Sequence, residues 1–474
     1  MLFDSVRQTL AETEASMDEY HGNDQPVPDE LVRRWEALTF ELDNVIYPVL
    51  TLPLEITLEI FMHFISFLGI EGNPMLLLQI CRTWREIALA TPLLWSALNL
   101  TWVVDDPRDR IPLEVDDGFI QQWLERAAAV PLSLGFFGHM AEKWSAQVEA
   151  LVARHAPRID TLHLDFFAEG GFEWLAEPRQ FPELRKLTLA CHIGHQSGMP
   201  TFAVAPRLRD VTLRSGVGLR YFVLPWGNLT SVAADCVTTT ECLRVLTDAP
   251  RLTRGSFLVT APPEPHNSPV THAALRELDL RGCSLLELLT LPNLRVLTLA
   301  VDAASDEVGK FLKRSAKSLR EFSFTLSSRS LDEASIDWFW TARGLTTLSL
   351  LDIPDRLSSE FFAALREGVD AHGVRFLPQL RRLEIQQVGL KVDAFAVGAL
   401  RSRWVNRLPN TVQLLSVRLV DSKEFQSLYG FYTENATHWN QLDATIDWDG
   451  LYDLARDGME LHVGTPETNF VWEC

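Results

Sequence analysis

The chain has 474 residues, of which 47% are apolar and 22% are charged, values typical of folded globular proteins. At about 150 residues per domain, this length predicts roughly three domains or one long repeat array. Its 63 acidic and 43 basic residues give a formal net charge of −20, which opposes binding to nucleic acid and to anionic membranes. The excess is concentrated in residues 1–48 (11 acidic, 3 basic) and 421–474 (11 acidic, 2 basic). These charges predict terminal segments distinct from the main body. We assign residues 1–48 to an acidic N-terminal helical segment and residues 421–474 to an acidic C-terminal cap, which the end of a repeat array needs to shield its core.

The composition also indicates a compartment. Six cysteines are scattered without a CxxC pair, so they do not form a disulfide framework. The first twenty residues lack the basic and apolar regions of a signal peptide. The most apolar stretch, residues 56–70, is interrupted by Glu59 and His63 and is too short to span a bilayer. We therefore expect an intracellular protein, cytoplasmic or nuclear, that does not enter a membrane.

Residues 29–49 carry an apolar side chain at every third or fourth position. The stripe consists of Leu31, Trp35, Leu38, Leu42, Val45 and Val49. Its length of about two and a half heptads favours one amphipathic helix packed on its own protein, and leaves a dimer seam as the alternative.

The next segment, residues 49–98, is rich in large apolar side chains. Pro53 fits the first turn of a helix, and Ile56, Ile60, Phe61 and Phe64 are predicted to form one face of it. A second helix is predicted to begin near Pro74 and to continue through Ile80 and Trp84 to Ile87. Short helices in about 50 residues cannot bury all of these side chains, so we expect a partner to cover the remainder.

The order of LPLEITLEIF (residues 52–61) and ICRTWREIALATPLLW (residues 80–95) resembles an F-box, in particular that of fungal F-box proteins. The resemblance implies docking on the SKP-type adaptor that joins F-box proteins to the cullin of an SCF ubiquitin ligase. We expect the adaptor contacts among Leu52, Pro53, Ile56, Ile60, Phe61, Ile80, Cys81, Trp84 and Trp95, with several of these in the core of the box. The link at residues 69–74 departs from the Asp-Leu that many F-boxes have near their second helix.

After a linker and a helix (residues 99–130), a unit of the form LxxLxL recurs ten times. Its first apolar residues are Ile159, Leu184, Leu208, Leu229, Leu252, Leu275, Leu294, Leu319, Leu345 and Leu380. Eight of the nine intervals are 19 to 26 residues and the last is 35. This period predicts a leucine-rich-repeat solenoid over residues 131–420, an α/β fold with a curved parallel sheet and convex helices such as residues 306–316 and 358–368. Residues 413–419 are predicted to form a last strand.

The polar residues of LxxLxL are predicted to face the concave side and to bind a protein substrate. They are Thr161, His163, Asp165, Lys186, Thr188, Asp210, Thr212, Arg214, Glu277, Asp279, Arg281, Glu321, Ser323, Thr325, Arg382, Glu384 and Gln386. Their mixed charges suit a protein partner better than a polyanion. The aromatic run of residues 338–340 is a second interface candidate, although such residues more often belong to a convex core.

Catalytic and metal-binding signatures are weak. Cys191, His192 and His195 lie close together after a predicted strand, and Asp443–Asp453 is rich in acids, but neither has a full ligand pattern. We therefore predict no metal, no cofactor and no enzymatic activity. The favoured hypothesis is a substrate-recognition subunit of an SCF-type E3 ligase. The alternatives are a non-ligase scaffold or sensor that uses the repeats to bind proteins, and a hydrolase housed in the repeats.

Overall fold

The computed structural model describes residues 4–22, 26–43, 51–67, 74–102, 117–139, 142–167, 173–190, 198–214, 217–261, 268–282, 285–301, 306–326, 336–351, 353, 355–370, 373–387, 391–405, 411–421, 446–464 and 469–472. The chain divides into two compact units. The N-terminal unit contains residues 1–96 and 117–128, and the sheet unit contains residues 97–116 and 129–474.

The N-terminal unit is helical in its described residues. Its helices are α1 (Asp4–Gly22), α2 (Asp29–Asp43), α3 (Leu54–Phe67), α4 (Leu77–Ile80), α5 (Arg82–Leu89) and α6 (Asp117–Arg126). The indole of Trp35 in α2 donates a hydrogen bond to Glu14 in α1 at 3.1 Å. Helix α2 confirms the helix predicted from Asp29, and the later stripe residues Val45 and Val49 lie outside the described residues.

The helix predicted to run unbroken from Pro74 to Ile87 is wrong. Cys81 takes an extended conformation with φ −157° and ends α4, and its Sγ accepts the backbone N–H of Trp84 at 3.4 Å. The thiol thereby caps the first turn of α5, in the way that a polar side chain caps an exposed helix start. The result is two short helices where the apolar spacing alone fits one.

Trp95 is the centre of the core of the N-terminal unit. It has no exposed surface, and its indole N–H donates to the carbonyl of Ala88 at 2.9 Å, at the end of α5. The ring of Trp123 lies 5.0 Å away edge-on, and the guanidinium of Arg126 lies 4.5 Å above the Trp95 ring. Helix α6 therefore completes this unit, although its sequence position suggested a link to the repeats.

The sheet unit is built on one sheet of fourteen parallel strands, each pairing with the next strand of the sheet in chain order. The strands are β1 (Ala97–Trp102), β2 (Leu132–His139), β3 (Ile159–Phe167), β4 (Lys186–Leu189), β5 (Asp210–Leu213), β6 (Ser231–Thr238), β7 (Arg254–Ala261), β9 (Glu277–Arg281), β11 (Val296–Val301), β12 (Glu321–Leu326), β13 (Thr347–Leu351), β14 (Arg382–Gln387), β15 (Ser416–Asp421) and β16 (Glu460–Gly464). Two further strands, β8 (Val270–Thr271) and β10 (Leu289–Thr290), pair with each other.

Helices connect several of the strands. They are α7 (Glu142–His155), α8 (Thr239–Asp248), α9 (Asp306–Ser315), α10 (Asp355–Glu367), α11 (Ala394–Trp404) and α12 (Trp448–Arg456). Helices α9 and α10 confirm the two predicted from the sequence. Buried and polar residues alternate along the strands, as in β13, because successive side chains point to opposite faces of a sheet. The buried rows form the core, and the arrangement is a repeat-like α/β fold resembling a solenoid.

The sheet extends past both ends expected from the repeat pattern. Strand β1 begins at Ala97, within the segment assigned to the F-box, and β16 lies in the acidic C-terminal segment. Both strands alternate apolar and polar residues as the repeat strands do. Each pairs in parallel with its neighbour, β1 with β2 and β16 with β15.

A buried position of strand β7 lacks a side chain. Gly255 of β7 stands in register with Val232 of β6 and Leu278 of β9, which are buried. The ring of Phe257 fills this space, since a Cβ atom placed on Gly255 would lie 2.7 Å from Phe257 Cε2. The large ring of Phe257 therefore compensates for the missing side chain of Gly255, and the core stays closely packed.

Candidate functional site

The N-terminal unit exposes many large apolar side chains. We call these the apolar surface; they are exposed by 37% to 56% and comprise Leu52, Leu54, Ile56, Ile60, Leu76, Ile80, Leu89 and Leu93. The described part of the chain has sixteen exposed large apolar residues, and half of them lie in the short segment of residues 52–93. Isolated exposed apolar residues are ordinary, but this density within one short segment is typical of an interaction site.

Helix α3 separates its apolar residues onto two faces. Thr57 and Phe61, four residues apart, are buried, and the Phe61 ring contacts Trp84 edge-on with centroids 4.9 Å apart. Ile56 and Ile60 also lie four residues apart, which places them together on a different face that is exposed. The prediction that Ile56, Ile60 and Phe61 share one face is therefore wrong.

The structure divides the residues expected to contact the adaptor into three groups. Leu52, Pro53, Ile56, Ile60 and Ile80 are exposed and available to a partner. Cys81 and Trp84 are half-buried, the first as a helix cap and the second beside Phe61. Phe61 and Trp95 have no exposed surface and act within the core. The link at residues 69–73 lies outside the described residues.

The polar residues of the repeats lie in rows across the sheet. We call the side of the sheet that carries them the open face. One row contains Thr161, Lys186, Asp210, Ser231, Arg254, Glu277, Val296, Glu321, Thr347 and Arg382. The next contains His163, Thr188, Thr212, Ala233, Ser256, Asp279, Thr298, Ser323, Ser349 and Glu384. Asp165, Arg214 and Arg281 each lie two residues after a member of the second row, near or just beyond the ends of their strands.

A depression of about 450 Å³ opens on the open face over β4 to β11. Small residues on β6 and β7, Ala233 and Ser256, form its middle, and charged side chains surround them. Arg254 lies 3.8 Å from Asp210, and the Ser256 hydroxyl donates to Asp279 Oδ2 at 2.9 Å. Ser231, Arg254 and Ser256 are not among the residues predicted from the sequence to bind a substrate, although they occupy the same positions of the LxxLxL repeat.

Two carboxylates of the depression have unused acceptors. Asp210 Oδ1 and Asp279 Oδ1 are shielded from solvent and accept no hydrogen bond within the described residues, although Asp210 Oδ1 lies 3.8 Å from the guanidinium of Arg254. Shielded acceptors without a donor are costly, because the lost hydration is not replaced. A ligand that brings an N–H or O–H donor to these atoms would recover that cost.

His163 lies beside the depression in a partly dry setting. Its ring contacts Phe137 edge-on with centroids 4.5 Å apart, and its Nε2 lies 3.8 Å from Asp165. Burial is the main cause that lowers the pKa of His163 below its ordinary value, and the charges of Arg214 and Lys186 lower the pKa further while Asp165 opposes them. At neutral pH this side chain is uncharged.

The other open-face and aromatic candidates have ordinary partners. Glu384 accepts from Ser349 at 3.1 Å and lies 3.5 Å from Arg418. Trp338 and Phe339 are buried, so the aromatic run belongs mainly to the core. Cys191, His192 and His195 lie outside the described residues, and within those residues no three metal-ligating side chains come together. No described helix is both long and apolar enough to cross a bilayer.

No known family model matches the chain, and no curated protein matches it either. The apolar surface and the open face are the two features of the described residues that point to a function.

Proposed function

We propose that the protein is the substrate-recognition subunit of an SCF-type E3 ubiquitin ligase, whose N-terminal unit docks on an SKP-type adaptor. The apolar surface carries this proposal. Four of its residues, Leu52, Ile56, Ile60 and Ile80, are among those that the F-box resemblance assigns to the adaptor contact, and all four are exposed. An adaptor that covered them would remove apolar area from water, the main driving force of protein association.

The open face of the sheet would hold the protein to be ubiquitinated. Its rows mix acidic, basic and hydroxyl side chains, which favour a partner with complementary charge over a polyanion. At the depression, the oxygens of Asp210 and Asp279 that accept no described hydrogen bond suit a donor such as a lysine or arginine side chain of that partner. The subunit itself would do no chemistry and would act by holding substrate lysines near the ligase.

The proposal is tested by titrating the full-length protein with a purified SKP-type adaptor in a calorimeter. The test variant is Ile60→Glu with Ile80→Glu, which places two charges in the proposed contact. Glu is a good helix former and both positions are exposed, so the fold is retained. We expect the variant to lose at least about 100-fold in affinity, since buried apolar anchors contribute roughly 1.5–3 kcal/mol each.

The matched control is Val204→Glu with Val223→Glu, two similarly exposed apolar residues of the sheet unit. It makes the same change in charge and should bind the adaptor as the unmodified protein does. If the unmodified protein itself does not bind, the ligase proposal fails and the scaffold hypothesis takes its place. Equal losses in both variants would show a general charge effect and would also contradict the proposal.

A further inference from the structure

Three arginines occupy equivalent positions on neighbouring strands. Arg276, Arg295 and Arg320 each stand directly before the first residue of β9, β11 and β12. The residues that follow them are register partners across the three strands. Because adjacent strands are about 4.8 Å apart, the three side chains start from a row about 10 Å long at the edge where the strands begin.

These arginines line a cavity that is separate from the depression on the open face. The cavity has a volume of about 630 Å³. We call it the arginine groove, and its polar lining consists of Arg276, Arg295 and Arg320 with Thr253, Asn293 and Ser318. It therefore combines three cations with neutral hydrogen-bonding groups.

The cations of the groove lack the carboxylate partner that one arginine at the same repeat position has. Arg185, which stands in the same position before β4, forms an ion pair with Asp160 at 3.1 Å. In the part of the chain that the structure describes, no carboxylate lies within 4.0 Å of the three groove arginines. The guanidinium groups of Arg276 and Arg295 also make no hydrogen bond to that part of the protein, and both residues are exposed.

The arrangement is electrostatically unbalanced within a chain of net charge −20. Like charges on adjacent strands repel each other, and no described carboxylate lies within ion-pair distance of the three guanidinium groups. Arg320 uses one donor on the carbonyl of Gly344 at 2.9 Å, which leaves most donors of the row unused. A guanidinium has the planar fork that binds two oxygens of a phosphate at once.

We infer that the arginine groove binds a phosphoryl dianion, carried by a phosphorylated serine or threonine of a protein or present as free phosphate. A compact dianion matches three cations over about 10 Å. A longer polyanion such as nucleic acid would also approach Glu277 and Glu321, which begin two of the same strands and are exposed. The inference depends only on this groove, so it stands whether or not the N-terminal unit docks on the adaptor.

The test uses the full-length protein and four probes in a calorimetric titration. The probes are a glycine-flanked phosphoserine peptide, the same peptide with serine, inorganic phosphate and a single-stranded oligonucleotide. The test variant is Arg276→Gln with Arg295→Gln. The matched control is Arg185→Gln with Arg209→Gln, which changes the same repeat position on β4 and β5 by the same charge. Circular dichroism checks that both variants remain folded.

We expect the phosphoserine peptide, inorganic phosphate or both to bind at one site, and the test variant to weaken that binding at least about tenfold, as expected from the loss of charge-assisted hydrogen bonds. The control should bind within about twofold of the unmodified protein because its arginines lie on other strands. Binding of inorganic phosphate without the peptide assigns the groove to free phosphate, and binding of the peptide assigns it to a phosphorylated protein. The inference is overturned if neither binds, if both variants weaken equally, or if the serine peptide or the oligonucleotide binds as tightly.

Discussion

The N-terminal unit and the sheet unit differ in how much of their apolar side chains they expose to solvent. In the sheet unit, Leu278 and Leu280 of β9 lie between equivalent residues of the neighbouring strands and are almost wholly buried. In the N-terminal unit, Ile56 and Ile80 are exposed by 44% and 56%. Each repeat covers the core of the next, whereas a few short helices have too little volume to cover one another. An exposed apolar residue therefore points to a partner more strongly in the first unit than in the second.

The largest expected effect tests this contrast directly. Leu280→Ala should lower the free energy of unfolding by about 2–5 kcal/mol, because it leaves a cavity in the sheet core. Ile60→Ala, the matched change on the apolar surface, should cost less than about 1 kcal/mol in the isolated protein. Urea denaturation followed by circular dichroism measures both. Equal losses would mean that Ile60 is part of a core, and the apolar surface would lose its meaning as a contact site.

A smaller effect tests how closely the sheet core is packed. Gly255→Ala brings a Cβ to 2.7 Å from the Phe257 ring and should destabilise the protein by about 1–3 kcal/mol through overpacking. Gly227→Ala is the control, since no atom lies within 4 Å of its added Cβ, and it should be neutral or slightly stabilising.

The Gly255→Ala substitution made in a Phe257→Leu background should cost less than it does alone, because the ring that it meets is gone. Denaturant melts of the four proteins give this coupling. Additive costs in the two backgrounds would show that Phe257 does not fill the space beside Gly255.

The sequence predicts the sheet unit better than the sites on it. Leu184, Leu208 and Leu275 each open a unit whose alternation specifies a strand, and the structure has β4, β5 and β9 directly after them. The helix break at Cys81 could not be read in this way, because the apolar spacing on both sides fits one continuous helix. It depends on the extended backbone at Cys81 and on the thiol cap, which are local three-dimensional features.

The functional surfaces were harder still to predict. The depression on the open face requires Ala233 and Ser256 to be neighbours, and only the strand register brings them together. The arginine groove depends on the absence of described partners for Arg276 and Arg295, whereas Arg185 at the same repeat position has Asp160. A repeat pattern predicts which face of the sheet a side chain lies on. It does not predict whether residues of the adjacent repeats supply that side chain with a hydrogen bond or an ion pair.

The smallest expected effect is on the pH dependence of the free energy of unfolding, and it tests how far water reaches the open face at β3. Burial lowers the pKa of His163 from its ordinary value of 6.5, so below that value the unfolded chain binds more protons at this residue than the folded chain does. The free energy of unfolding should therefore fall as the pH falls below about 6.5. In His163→Gln the fall between pH 7.5 and pH 5.5 should be smaller than in the unmodified protein, as measured by urea denaturation at the two values.

His155→Gln serves as the comparison in α7, where burial and then Arg158 and Arg154 lower the pKa of the histidine, and it should act in the same direction. An unchanged fall in His163→Gln would show that water reaches His163, and that the open face at β3 is as well hydrated as the rest of the surface.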